Sequence, residues 1–133
     1  MVNSVERILL KHPKDAFIKQ SKIDDESKKL NYTSPPNLEL ACDQYEGFLK
    51  LIYSFDPEVH FLPRSDHSSL DSIYTHDPCT MTNEGVILCN MGKKERSTEP
   101  DEIDHYFRSI GIPIIGRIEG SGKLEGGDIV WID

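Results

Sequence analysis

A repeated order of elements constrains this chain most. Strand material, then a helix, then a short apolar strand occurs once before Pro63 and again across residues 72–118. In the first copy, residues 5–11 (VERILLK) hold an apolar run stopped at His12-Pro13, as a strand ended by proline would be. Ser34-Pro35-Pro36-Asn37 then supplies capping residues. Residues 38–55 place Ala41, Tyr45, Phe48, Leu49 and Ile52 at helical spacing, which predicts a helix with one packed face. Asp56-Pro57 ends it, and residues 59–62 read as a short buried strand.

The second copy is clearer. Residues 66–71 read as a polar loop. Residues 72–82 and 86–91 flank Asn83-Glu84-Gly85 and predict a β-hairpin with Gly85 free to take a left-handed turn position. Thr98, Pro100, Asp101 and Glu102 signal a helix start, and Gly111 and Pro113 mark its end. Residues 112–118 read as a second buried strand, and residues 124–133 as a turn running into a strand. That last strand stops at Asp133 inside an apolar run, so the chain is expected to be a fragment or one half of a larger assembly. Within the first copy, residues 19–31 (KQSKIDDESKKLN) are polar and read as a solvated loop or short surface helix.

At 133 residues the chain suits one domain. Its 23 acidic against 15 basic residues give a net charge of −8, which argues against binding to nucleic acid or an anionic membrane. Three cysteines, an odd and sparse count, do not suggest a disulfide framework. Together with residues 1–7, which lack the apolar core of a signal peptide, they point to the cytoplasm. The five histidines show neither His-x-x-x-His spacing nor a Cys-x-x-Cys partner, so no metal site is expected. Gly120-Ser121-Gly122-Lys123 is not a phosphate loop, because Gly116 is one residue too far from Gly122-Lys123 and Leu124 replaces the Ser or Thr.

The chemistry-bearing residues lie near expected strand ends. Asp77 sits before Pro78, and Glu125 precedes Gly126-Gly127-Asp128. Glycines after a carboxylate allow close approach of a ligand, and paired carboxylates match the N–H fork of a planar guanidinium. Each residue also has a plainer reading: Asp77 as a turn cap, Glu125 as a loop charge, Arg96 as a surface charge in Lys93-Lys94-Glu95-Arg96, Asp128 as an acceptor within the glycine turn. Cys42 and Cys89 read as core residues. Cys79, two positions after Asp77, reads mainly as structural too.

Taken together, Asp71-x-x-Tyr74-x-x-Asp77-Pro78, Met91-Gly92, Arg96-x-x-Glu99 and Leu124-Glu125-Gly126-Gly127-Asp128 resemble the guanidino-group-modifying enzymes, most closely the dimethylarginine dimethylaminohydrolase branch. The resemblance runs from about Asp71 onward and corresponds to roughly the first half of a family member. It implies an α/β fold, a five-bladed α/β propeller (pentein) of ββαβ units. About two units plus the start of a third would fall at residues 1–63, 64–120 and 121–133. It implies hydrolysis of the guanidino group of methylated arginine, or of a similar compound, through a Cys-thiouronium intermediate and without cofactor or metal. Asp77 and Glu125 would be the catalytic carboxylates holding the guanidinium. Asp71 would contact the substrate, Tyr74 would lie near the guanidinium, and Arg96 would bind the substrate carboxylate. His76 stands where this branch usually carries an acid. The family's nucleophilic Cys and proton-handling His match no residue here. The missing half, or a complementary chain, would supply them, and this chain alone would be inactive. An amidinotransferase or arginine deiminase shares the same carboxylates. A non-catalytic binding subunit, which would pair with its own copies through an open strand edge or bind a second polypeptide that completes the propeller, is the reading from a different class.

Overall fold

A computed structural model describes residues 5–132. The first strand, β1 (Arg7–Leu10), ends where His12 caps a short helix, α1 (Pro13–Ala16). His12 Nδ1 accepts from the Lys14 N–H, and Pro13 occupies the first helical turn, where it has no donor to lose. Pro13 thus opens a helix as well as closing a strand.

The polar stretch that follows is a helix, α2 (Gln20–Ser27). It is not wholly solvated: Ile23 and Ser27 are buried, and the Ser27 hydroxyl donates to the Ile23 carbonyl at 2.5 Å. Ile23 joins Ala16, Phe17, Leu30 and Leu70 in one apolar cluster, with Tyr32, Leu38, Ala41 and Ile73 packed against it.

The long helix α3 (Leu38–Tyr53) starts at Asn37, whose side chain accepts from the Leu40 N–H at 2.9 Å. Its expected apolar face is only partly covered. Leu49 is buried, Ala41, Tyr45 and Ile52 are half-buried, and Phe48 is exposed. Cys42 on this helix is half-exposed and not a core residue. The chain turns at Asp56 and returns as β2 (Glu58–Phe61), parallel to β1 with Arg7 opposite Glu58 and Leu10 opposite Phe61. The loop expected at residues 66–71 is not solvated throughout. Ser68, Ser69, Leu70 and Asp71 are buried, and Leu70–Ile73 form a 3-10 turn.

The chain divides between Ile73 and Tyr74 into two compact units. In the second, β3 (Cys79–Met81) and β4 (Val86–Leu88) form the expected hairpin, α4 (Glu99–Ser109) crosses over, and β5 (Ile114–Arg117) pairs parallel to β4. This is a complete ββαβ unit in the order β3-β4-β5. The first strand is shorter than residues 72–82, because Tyr74–Asp77 form a turn. Strand β4 is central, and Val86, Leu88 and Ile103 of α4 are fully buried, with Phe107 of α4 close to fully so. Strand β5 is an edge whose residues alternate between half-buried and exposed, not the buried strand expected.

Residues 124–132 do not form a strand. A 3-10 turn at Gly126–Asp128 is followed by irregular backbone with Val130, Trp131 and Ile132 exposed. The expected stop inside a strand at Asp133, and residues 1–4 of the segment judged for a signal peptide, lie outside the described residues. Gly120–Lys123 form a turn held by Asn90, whose amide donates to the carbonyls of Gly120 and Gly122.

At the hairpin, Thr82 binds Gly85 through backbone and side chain, and Gly85 has φ +150°. A Cβ there would stand 2.5 Å from the Pro113 carbonyl oxygen. Gly85→Ala is expected to destabilise the chain by about 2–3 kcal/mol, combining the forbidden φ with overpacking. Chemical denaturation of the two proteins measures the difference.

Candidate active site

The second unit gathers three carboxylates around one buried arginine. Arg96 closes a 3-10 turn (Lys94–Arg96) and is only 5% exposed. It is therefore not the surface charge its local sequence suggests. Glu99, at the start of α4 and 2% exposed, takes its fork in two bonds: Nε to Oε1 at 2.9 Å and Nη2 to Oε2 at 2.8 Å. The remaining terminal nitrogen, Nη1, donates to Asp77 Oδ2 at 2.8 Å and lies 4.0 Å from Glu125 Oε2. Burial alone would lower the Arg96 pKa, but the Glu99 and Asp77 carboxylates outweigh it and hold the pKa above its ordinary value.

Asp77 is set by a local turn, its N–H donating to the Tyr74 carbonyl at 3.2 Å. Its own carbonyl accepts from the Gly126 N–H at 2.8 Å, which ties the segment before β3 to the glycine turn. Glu125 caps that turn in a reciprocal box: its side chain accepts from the Asp128 N–H, and Asp128 Oδ2 accepts from the Glu125 N–H at 3.0 Å. Glu125 Oε1 also accepts from the Gly92 N–H at 3.0 Å. Asp128 therefore acts within the turn, as its sequence context suggests.

Two glycines make the approach possible. A Cβ on Gly126 would stand 2.1 Å from the His76 carbonyl oxygen and 2.6 Å from that of Cys79. A Cβ on Gly127 would stand 3.2 Å from Asp77 Oδ1. Gly126 allows the two backbones to meet, and exposed Gly127 leaves open the Asp77 oxygen that Arg96 does not use.

Of the residues singled out from sequence, Asp77, Glu125 and Arg96 come together. Tyr74 borders them: its carbonyl accepts from Arg96 Nη2 at 3.4 Å, and the Arg96 guanidinium carbon lies 6.0 Å from its exposed ring. His76 contributes its backbone to the Gly126 contact and has an exposed side chain. Asp71 belongs to the first unit, where its side chain is buried in the Leu70–Ile73 turn. Sequence reasoning named Glu99 and Gly92 within motifs but gave them no role. The three-residue spacing of Arg96 and Glu99 was the available signal for the former.

Neither buried cysteine is a ready nucleophile. Burial, with Cys89 adding to it, pushes the Cys79 thiol up to about 12. Burial also raises the Cys89 thiol, and Glu125, Asp128 and Asp77 raise it further. Both are neutral near pH 7.

The fold is shared with solved structures. The fold matches a cysteine-to-serine variant of the dimethylarginine dimethylaminohydrolase of Pseudomonas aeruginosa bound to citrulline, with a TM-score of 0.77 at 22% identity, over 98% of this chain and 48% of that one. It also matches AgrE bound to L-arginine, with a TM-score of 0.71 at 16% identity, over 93% of this chain and 18% of that one. Fold and sequence similarity together define a protein of the guanidino-group-modifying superfamily. The family model for eukaryotic N,N dimethylarginine dimethylhydrolase matches residues 12–133, and the chain belongs to that family. The curated dimethylarginine dimethylaminohydrolase of Pseudomonas aeruginosa is 24% identical over 102 residues, which cover 77% of this chain and 40% of that protein. The chain thus spans less than half the length of these Pseudomonas relatives.

Gly126→Ala is expected to cost at least about 3 kcal/mol, because both clashing atoms are backbone. Gly127→Ala should leave stability within about 0.5 kcal/mol. Thermal denaturation separates them. The Cys79 thiol ionises near 9.0 when exposed and near 12 when folded, so its contribution is full below pH 9 and is lost as pH rises toward 12. Cys79→Ser should flatten that alkaline loss of stability in a denaturation series from pH 8 to 11.

Proposed function

We propose that this chain supplies the guanidinium-binding carboxylates, Asp77 and Glu125, of a hydrolase acting on methylated arginine or a similar guanidino compound. The observation that carries this is the charge balance of the cluster. Asp77, Glu99 and Glu125 surround one guanidinium, that of Arg96, and leave negative charge uncompensated beside the open Asp77 oxygen. A second planar cation approaching over Gly127 would meet Asp77 Oδ1 and the Glu125 carboxylate. Tyr74 and His76, with exposed side chains, would line the approach.

In the proposed reaction a thiolate adds to the guanidinium carbon and the substituted amine leaves with a proton. Water then hydrolyses the thiouronium to a ureido product and restores the thiolate. Asp77 and Glu125 hold the carbon in line and offset its charge. The neutral Cys79 and Cys89 thiols do not fit the nucleophile, so we assign it, with the proton-handling His, to residues outside this chain. The share of the relatives' length that the chain spans agrees with this. We further propose that the ββαβ unit of the second half is one blade of a five-bladed propeller. Free thiols fit a reducing, cytoplasmic setting. No helix among the described residues is long and apolar enough to cross a membrane.

Isotope-resolved NMR titration tests the binding role. Methylguanidinium and N,N-dimethylarginine should shift the amides of Gly92, Gly126 and Gly127. Neutral citrulline should shift them far less. Asp77→Asn and Glu125→Gln should each weaken methylguanidinium binding by about tenfold or more, and Gly127→Ala should weaken it without loss of stability. Equal response to methylguanidinium and citrulline, or wild-type affinity in both carboxamide variants, would falsify the reading.

A further inference from the structure

We infer that Glu99 is a positioning residue, which fixes the Asp77 carboxylate through Arg96 so that one oxygen is held and the other faces the ligand. The inference rests on the guanidinium-binding role proposed above. Three observations carry it. Glu99 is buried away from solvent and takes both Nε and Nη2 of Arg96, so it touches no open face of the site. A guanidinium is planar and rigid, so two bonds on one edge fix the direction of the remaining nitrogen. That nitrogen, Nη1, meets Asp77 Oδ2 at 2.8 Å, while Asp77 Oδ1 is left beside the bare Cα of Gly127.

The same geometry bears on Arg96. Its fork is occupied by Glu99 and its last nitrogen by Asp77 and, more distantly, Glu125. We therefore assign Arg96 to holding the carboxylates of the cluster. Glu99 also offsets the Arg96 charge. Without it, Arg96 would neutralise Asp77 and Glu125 more completely and compete with an incoming guanidinium.

The decisive variant removes the pair without changing the local net charge. Arg96→Met with Glu99→Leu deletes one cation and one anion and fills the space with apolar side chains, a replacement that folded proteins tolerate. Affinity for methylguanidinium is measured by NMR titration of the full chain. The carbon chemical shift of the Asp77 side-chain carboxyl is followed at one fixed pH in the same samples. We expect a well-dispersed spectrum, at least tenfold weaker binding, and a displaced Asp77 carboxyl signal, because its bond from Arg96 is gone.

Wild-type affinity in the double variant would overturn the positioning role while leaving the guanidinium-binding reading intact. Absence of binding by the wild-type chain would overturn both. Should the double variant lose its dispersed spectrum, Arg96→Lys decides the matter. It keeps the charge beside Glu99 but cannot bridge two carboxylates as a fork does. The same tenfold loss is then expected, and unchanged affinity would sink the proposal.

Discussion

A guanidinium taken out of water organises the second unit. Arg96 is almost fully buried, and an isolated charge in that position would cost several kcal/mol. The cost is offset because Glu99 meets two of its nitrogens and Asp77 a third. The consequences reach beyond the pair. The start of α4 must place Glu99 against the 3-10 turn that ends at Arg96, and the turn before β3 must present Asp77 to the same cation. The ion cluster therefore ties the start of α4 to the turn before β3, and adds to the burial of Val86, Leu88, Ile103 and Phe107. Removing one ion without the other would leave an unpaired buried charge, at roughly 3–5 kcal/mol.

Backbone contacts supply the second half of the arrangement. Gly126 sits where two carbonyl oxygens leave no space for a side chain, and its N–H binds the Asp77 carbonyl. Glu125, one residue earlier, is held by the reciprocal cap with Asp128 and by the Gly92 N–H. Both proposed ligand-binding carboxylates are thus fixed by partners of their own before any ligand arrives. Preorganisation of this kind lowers the ordering cost of binding. It suits a small cation better than flexible surface acids would.

Much of this was legible in the chain, for identifiable reasons. The hairpin, α3 and α4 follow from apolar periodicity and from punctuation by Pro, Gly and Asn, which are local signals. The cluster of acids was legible as motifs, through Glu125-Gly126-Gly127 and the residues around Asp77. What failed was burial. Two inward residues, Ile23 and Ser27, turn an apparently solvated stretch into a packed helix. The apolar run at residues 129–132 looks like a strand but forms no ladder among the described residues, since strand formation needs a partner that local sequence does not specify. Arg96 stands in a charged run, and nothing within that run announces that Asp77, nineteen positions earlier, will cover it.

The charge count also bears on turnover under the proposed function. A guanidinium substrate carries a full positive charge, and the ureido group formed by its hydrolysis carries none. A site with a fixed cation already satisfied by Glu99 and Asp77, and with negative charge left over at Asp77 and Glu125, favours the first species over the second. Binding and release then follow from one electrostatic feature, with no change of shape required in this part of the protein. Were Arg96 without Glu99, its charge would be available to both carboxylates, and that distinction between substrate and product would shrink. Under the proposed function, the buried Glu99 would thus set how strongly the half-buried Asp77 and Glu125 can discriminate.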